Sequence, residues 1–254
     1  SGNVAEKQMR NFFRILPANP RCKNCYAPFK GIGGAFVRLL LNKRRSPHNA
    51  LICNVCENFA IKYPGGTEIN LTMLFADVRG STALAEKMSS MDFSRLIDRF
   101  FNTSIDVFTH HDAVIDRLVG DEMIGYFLPS LAGSNHPQRA FEAALDLLSV
   151  TGHGSPEGPW TPIGIGVHTG MAFFGSVGRK DGVMDITALG DAVNTTARLA
   201  SQAGAGEVLI SEAAYQAAGL ELGNLEKRSL SLKGRSEEVP VRVFRVGNEV
   251  VAAR

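Results

Sequence analysis

The chain has little net charge, few cysteines and no long apolar run. A balance of +2 is too small to make nucleic acid its main partner. No stretch approaches the ~18 apolar residues that a membrane-spanning helix needs. The start carries no secretory signal pattern, and neither internal repeats nor low-complexity segments occur. Only four cysteines are present, all in the first quarter: Cys22, Cys25, Cys53 and Cys56. Four thiols in two close pairs are not the framework of a disulfide-rich secreted scaffold. A reducing, cytoplasmic setting is expected. The opening Ser1-Gly2 leaves room for an upstream segment in the native chain. Hydrophobic residues make up 44% and charged residues 20%, a composition that folds. The length of 254 residues suits one large domain, or one domain with a small module.

What is present starts with the cysteines. Cys22-Lys-Asn-Cys25 and Cys53-Asn-Val-Cys56 each form a tight turn that aims two thiolates at one point. Two such turns make a four-thiolate site. The second pair leads into Glu57-Asn-Phe-Ala-Ile-Lys62, which reads as a helix start. A treble-clef or zinc-ribbon layout is expected, with zinc as first choice and an iron–sulfur cluster as the alternative. With no open ligand position, the site reads as structural or regulatory. Residues 4–16 have helical spacing, with Met9, Phe12, Phe13 and Leu16 on one face. Between the cysteine pairs, Gly31-Ile-Gly-Gly lacks the preceding strand and following Gly-Lys-Ser/Thr of a phosphate loop. Lys43, Arg44 and Arg45 read as a solvated basic turn, with contact to an anionic surface the other reading.

Pro64-Gly65-Gly66 is the strongest boundary signal. The expected organisation is a helix or linker over 1–20, a metal-binding module over 21–66 and a larger domain over 67–248. The larger domain is organised around Leu71-Thr-Met-Leu-Phe-Ala-Asp77-Val-Arg-Gly80-Ser-Thr82. It reads as a buried central strand ending on a carboxylate, then a Gly turn opening a helix. Ser81 or Thr82 is expected to cap that helix. Asp77 then either caps the turn or, beside a helix N-terminus, holds a metal ion and a phosphate. Helices are predicted over 81–88, 91–110 and 136–150. Phe93, Leu96, Ile97, Phe100, Phe101, Ile105 and Phe108 are expected to face the core. Residues 113–128 read as a hairpin turning at Gly120-Asp121, a second carboxylate at a Gly turn. Residues 162–178 read as two strands around Gly170, with His168 as a satisfied core or turn histidine. Asp185 to Gly190 reads as a strand running into a helix on which Asn194 and Arg198 share a face. Residues 206–210 and 221–246 supply the last strands, with Lys233-Gly234 at a turn.

Taken together, four motifs in order resemble the class III nucleotidyl cyclase catalytic domain. They are Phe75-Ala-Asp77-Val-Arg-Gly80-Ser-Thr82, Gly120-Asp121-Glu-Met, Gly190-Asp-Ala-Val-Asn194-Thr-Thr-Ala-Arg198-Leu, and Leu232-Lys233-Gly234. The resemblance covers about residues 68–246. It implies an α+β fold with a ferredoxin-like βαββαβ core, a mixed or antiparallel sheet, and a head-to-tail homodimer with active sites between subunits. It further implies that Asp77 and Asp121, with the Val78 backbone, hold two Mg2+ or Mn2+ ions. The backbone of 78–82, including Gly80, Ser81 and Thr82, would cradle phosphates. Asn194 and Arg198 would act from the other subunit on the ribose and the α-phosphate. Lys233 would lie on the base side or the phosphate side, with phosphate the first choice, and Arg179 would share that role. Arg117 and Thr187 stand where adenylyl cyclases of the family usually have Lys and Asp to read the base. Thr187 is familiar from a bacterial adenylyl subgroup. Arg117 is a donor-rich fork that suits base carbonyls. ATP is the first expectation. GTP or a pyrimidine triphosphate, as in phage-defence relatives, is the alternative, and a catalytically inactive nucleotide-binding domain is a third reading.

Overall fold

The structure is a computed structural model describing residues 11–13, 15–16, 20–47, 49–62, 65–116, 120–178, 184–231 and 238–246. Arg117, Arg179 and Lys233 lie outside the described residues, as do most of the predicted 4–16 helix and the Lys233-Gly234 turn. The chain divides into two compact units, one of residues 1–67 with 174–187, the other of residues 68–173 with 188–254.

In the first unit, helices α1 (Gly31–Leu41) and α2 (Asn54–Lys62) surround a small core. Phe13, Cys22, Ala27, Phe29, Val37 and Cys53 pack together there. Antiparallel bridges Arg21↔Pro28 and Arg45↔Cys53 close the two cysteine turns. Gly34 lies flat on the preceding chain, because a Cβ there would stand 2.7 Å from the Phe29 carbonyl carbon. Residues 174–187 join this unit through Ser176, whose N–H donates to Gly65 O (3.0 Å) and whose hydroxyl donates to Ala60 O (3.0 Å).

An eight-stranded sheet is formed among the described residues. Its strands are β1 (Gly66–Val78), β2 (Val114–Ile115), β3 (Glu122–Phe127), β4 (Ile163–Gly178), β5 (Met184–Leu189), β6 (Glu207–Ser211), β7 (Glu226–Leu230) and β8 (Val239–Arg245). The order is β2-β3-β1-β4-β6-β8-β7, with β5 pairing β4. This mixed sheet with helices is the α+β architecture expected from the motifs. β1 is central because Leu71 to Ala76 are apolar or small and fully buried, as a strand covered on both faces must be. α3 (Ser81–Lys87), α4 (Ser90–His110) and α6 (His136–Val150) follow the expected ranges, with a short α5 (Pro129–Ala132) between. Ser89 starts α4 by accepting from the Asp92 N–H at 3.1 Å. Phe100 and Phe108 are fully buried against β1, β3 and α6 residues of one core.

β4 is one continuous strand rather than two strands around Gly170. The reason is a helix lying on it, α7 (Asp191–Gln202), which joins β5 to β6. A Cβ on Gly164 would stand 2.5 Å from Ala203 O, one on Gly166 2.4 Å from Ala200 N, and one on Gly170 3.0 Å from Ala192 Cβ. The glycines serve as a flat bed for α7, not as a bend. β6 then runs parallel to β4, with Ile165 opposite Val208, and α8 (Glu212–Ala217) follows. His168 is satisfied as expected, its Nδ1 2.8 Å from Ser211 Oγ.

Because the clash at Gly166 is with backbone, it cannot be relieved by a rotamer change. Gly166→Ala is expected to lower the unfolding free energy by about 1–3 kcal/mol, read as a lower denaturation midpoint. An unchanged midpoint would contradict the bed.

Candidate functional site

The second unit brings Asp77 and Asp121 together. β1 and β3 pair antiparallel so that Asp77 lies opposite Glu122. The Val78 N–H donates to Asp121 O at 3.3 Å, pinning the Gly120 turn to the end of β1. Gly120 has φ +61, a conformation that favours glycine. The Asp77 carboxyl is raised above its ordinary range by burial, and the adjacent Asp121 carboxylate adds to this while Arg79 opposes it. Glu122 is pushed up to about 7 by burial and by the charges of Asp77 and Asp121. Three carboxyl groups therefore share a half-buried spot, and their repulsion favours a bound cation.

Arg79 supplies the positive charge there. Its guanidinium forms an ion pair with Asp77 and donates to Ser201 O at 2.8 Å, at the C-terminal end of α7. A cation at a helix C-terminus is also favoured by the exposed carbonyls. The donor set of two facing carboxylates fits Mg2+ or Mn2+, which prefer few carboxylates plus ligand oxygens. The Val78 backbone stands beside them. Of its backbone groups only the carbonyl oxygen, an electron-pair donor, can serve a metal.

The turn after Asp77 differs from expectation. Gly80, at φ +71, occupies the position before α3, and neither Ser81 nor Thr82 caps the helix. Both are already inside its first turn, where they line a cavity of about 590 Å3. The other walls are Ala85, Phe93, Ser94, Ile97, Asp98, Phe101, Gly120 and Asp121. This size is ordinary for a small-molecule pocket. Phe93 and Phe101 thus line the cavity rather than lying wholly in the core, as their helical spacing alone implied. Asp121 joins carboxylate pair and cavity.

Asn194 and Arg198 do share one face of α7, as their spacing required. Asn194 is exposed and Arg198 half-buried, while Thr195, Thr196 and Leu199 turn inward. Neither lines the cavity. Thr187 is buried on β5 and belongs to the first unit. Sequence reasoning missed Arg79 and Glu122. The signal for each was adjacency: Arg79 lies two residues past Asp77, and Glu122 opposes it in register.

The first unit holds a separate candidate metal centre. All four Sγ atoms of Cys22, Cys25, Cys53 and Cys56 lie within 4.8 Å of one another. Cys22–Cys56 and Cys25–Cys53 are 3.9 and 3.8 Å apart. A tetrahedral tetrathiolate with ordinary zinc–sulfur bonds has edges of about 3.8 Å. Hydrogen bonds among the four thiols lower Cys25 and Cys53 and raise Cys22 and Cys56. The buried Lys43 places Nζ 3.6 Å from Cys25 Sγ. Burial would lower this ammonium, but Cys25, Cys53 and Cys56 outweigh it and raise it.

Comparison with known proteins agrees with this geometry. The family described as adenylate and guanylate cyclase catalytic domain matches residues 66–244. An adenylate cyclase of Mycobacterium tuberculosis (strain CDC 1551) is 26% identical over 165 residues, 65% of this chain and 37% of that protein. An uncharacterized protein of Mycobacterium tuberculosis (strain H37Rv) is 30% identical over 136 residues, 53% of this chain and 23% of that protein. The chain therefore spans well under half the length of these curated relatives. The crystal structure of the adenylyl cyclase CyaB from P. aeruginosa is similar at TM-score 0.63 and 25% identity, over 74% of this chain and 100% of that one. The guanylyl cyclase Cya2 shares the fold at TM-score 0.60 and 24% identity, over 70% and 93%.

If the four thiols form one metal centre, purified protein should carry one tightly held ion per chain by elemental analysis. Cys53→Ser should lose it while retaining the second unit's fold by circular dichroism. A metal-free wild-type chain would contradict the centre.

Proposed function

Because the chain belongs to the adenylate and guanylate cyclase catalytic domain family, we propose that it converts a nucleoside triphosphate, with ATP as first choice, to a 3′,5′-cyclic nucleotide and pyrophosphate. The observation that carries this reading is the approach of Asp77 to Asp121, which lines a cavity of about 590 Å3. Asp77 and Asp121, with the Val78 carbonyl, would hold two Mg2+ or Mn2+ ions. Bound there, the metals would lower the pKa of the ribose 3′-hydroxyl and neutralise the triphosphate.

The chain's own groups do the rest. The Val78 and Arg79 N–H groups already donate to Asp121 O and Pro162 O. The phosphate cradle therefore reduces to the Gly80, Ser81 and Thr82 backbone and the two hydroxyls. Arg79 would release Asp77 on metal binding and keep its hold on the end of α7. Asn194 would orient the ribose, and Arg198 would offset charge on the α-phosphate as pyrophosphate leaves. Since Asn194 is exposed on α7 and neither residue lines this chain's own cavity, they would serve the cavity of a second copy, in a head-to-tail homodimer. Arg179 and Lys233 are proposed for the phosphate side, and Arg117 and Thr187 for the base.

The base follows from Thr187 and Arg117. A hydroxyl both donates and accepts, so Thr187 tolerates adenine where a carboxylate would demand its amino group. A guanidinium at Arg117 favours carbonyl acceptors, which supports the second reading, a pyrimidine triphosphate or GTP. At the cysteines, zinc is proposed over an iron–sulfur cluster, since thiolate spacing alone meets the tetrahedral requirement of a single ion.

Incubation with Mn2+ and each of the four nucleoside triphosphates should yield one dominant cyclic product by mass, that of ATP. Asp77→Ala should lower turnover about a hundredfold or more without changing the melting temperature materially. A dominant cyclic uridylate or guanylate would overturn the ATP assignment. Absence of any cyclic product would overturn the cyclase reading.

A further inference from the structure

Helix α1 is docked by one side and bare on the other. Gly33, Gly34 and Val37 turn inward, and Gly34 has no room for a Cβ. The helix is thus held close to the Phe29 segment. On its outer side Ile32 is 89% exposed, Phe36 45%, Leu39 85% and Leu40 61%. These positions recur at helical spacing and form a single stripe. Single exposed apolar residues need no explanation, but a stripe on a rigidly seated helix marks a contact surface.

The charge around the stripe has one sign. Lys30 precedes the helix, Arg38 lies within it, and Arg44 and Arg45 follow it, all exposed. Across residues 21–62 the only acidic side chain is Glu57, and it is buried. The whole chain carries only +2, so positive charge is concentrated in this segment.

We propose that the outer face of α1, with Ile32, Phe36, Leu39 and Leu40 flanked by Lys30, Arg38, Arg44 and Arg45, seats the chain on an anionic lipid surface. Aliphatic side chains gain by entering the acyl boundary, and the basic flank gains from acidic headgroups. Nucleic acid would reward the arginines but offers nothing to Ile32 or Leu39, since its contacts are phosphates and base faces. A second copy of the same face would set basic residues against basic residues. No helix among the described residues is long and apolar enough to cross a membrane, and the attachment proposed for this face is peripheral.

The test is co-sedimentation of the full chain with vesicles of phosphatidylcholine alone, or containing about a third phosphatidylglycerol. Binding is expected only to the anionic vesicles. The double change L39E/L40E should weaken it about tenfold or more. K30E/R38E should weaken it about fivefold or more and flatten its salt dependence. Both variants should keep the wild-type metal content and cyclic-product turnover, and the milder Leu39→Gln should follow the same trend. No binding to anionic vesicles at low salt would overturn the proposal, as would undiminished binding by L39E/L40E. A change in light-scattering mass in place of lost vesicle binding would assign the face to self-association. A DNA or RNA shift that survives L39E/L40E and competes away vesicle binding would assign it to nucleic acid.

Discussion

Two like charges held together are the constraint on which the catalytic unit depends. The β1–β3 register puts Asp77 opposite Glu122 and the Gly120-Asp121 turn beside both. Burial disfavours the charges of Asp77 and Glu122, and the neighbouring carboxylates add to this. Arg79 offsets part of that cost through its ion pair with Asp77. The positive φ of Gly80 then turns the chain so that Ser81 and Thr82 enter α3 facing the cavity. Removing any of these features would loosen the carboxylates and leave the sheet otherwise intact.

The second element of the site is built by small residues. Gly164, Gly166 and Gly170 let α7 lie almost on the β4 backbone. That close packing commits Thr195, Thr196 and Leu199 inward and leaves Asn194 facing out. Arg79 links the two elements, since its guanidinium reaches both Asp77 and the last carbonyls of α7. One chain therefore offers the cavity that Asp121 lines and, away from it on α7, an exposed Asn194 and a half-buried Arg198. This division is what the proposed head-to-tail pair of chains would use.

Much of this was legible in the sequence where residues are tied covalently or by register. The CxxC pairs bring thiols together almost regardless of context. The apolar run to Asp77 reads as a central strand, and the Gly120-Asp121 turn reads as a hairpin turn between two strands. The rest depends on which side of an element meets the protein. Periodicity placed Phe93 and Phe101 on the same stripe as Phe100 and Phe108, but not at the cavity edge. Gly170 reads as a bend in isolation, because the helix requiring its smallness lies more than twenty residues further on. The α1 stripe has helical period, yet only the packing of Gly33, Gly34 and Val37 shows that it points outward.

The central claim, that two chains complete each site, is tested most directly by mixing two inactive variants. Asp77→Ala removes a carboxylate and Arg198→Ala removes the cation proposed to face it, and each alone should lower turnover about a hundredfold or more. Random pairing of equal amounts leaves half the dimers with one intact site, so turnover should recover to about a quarter of the wild-type value. A mixture as inactive as its components would contradict the account.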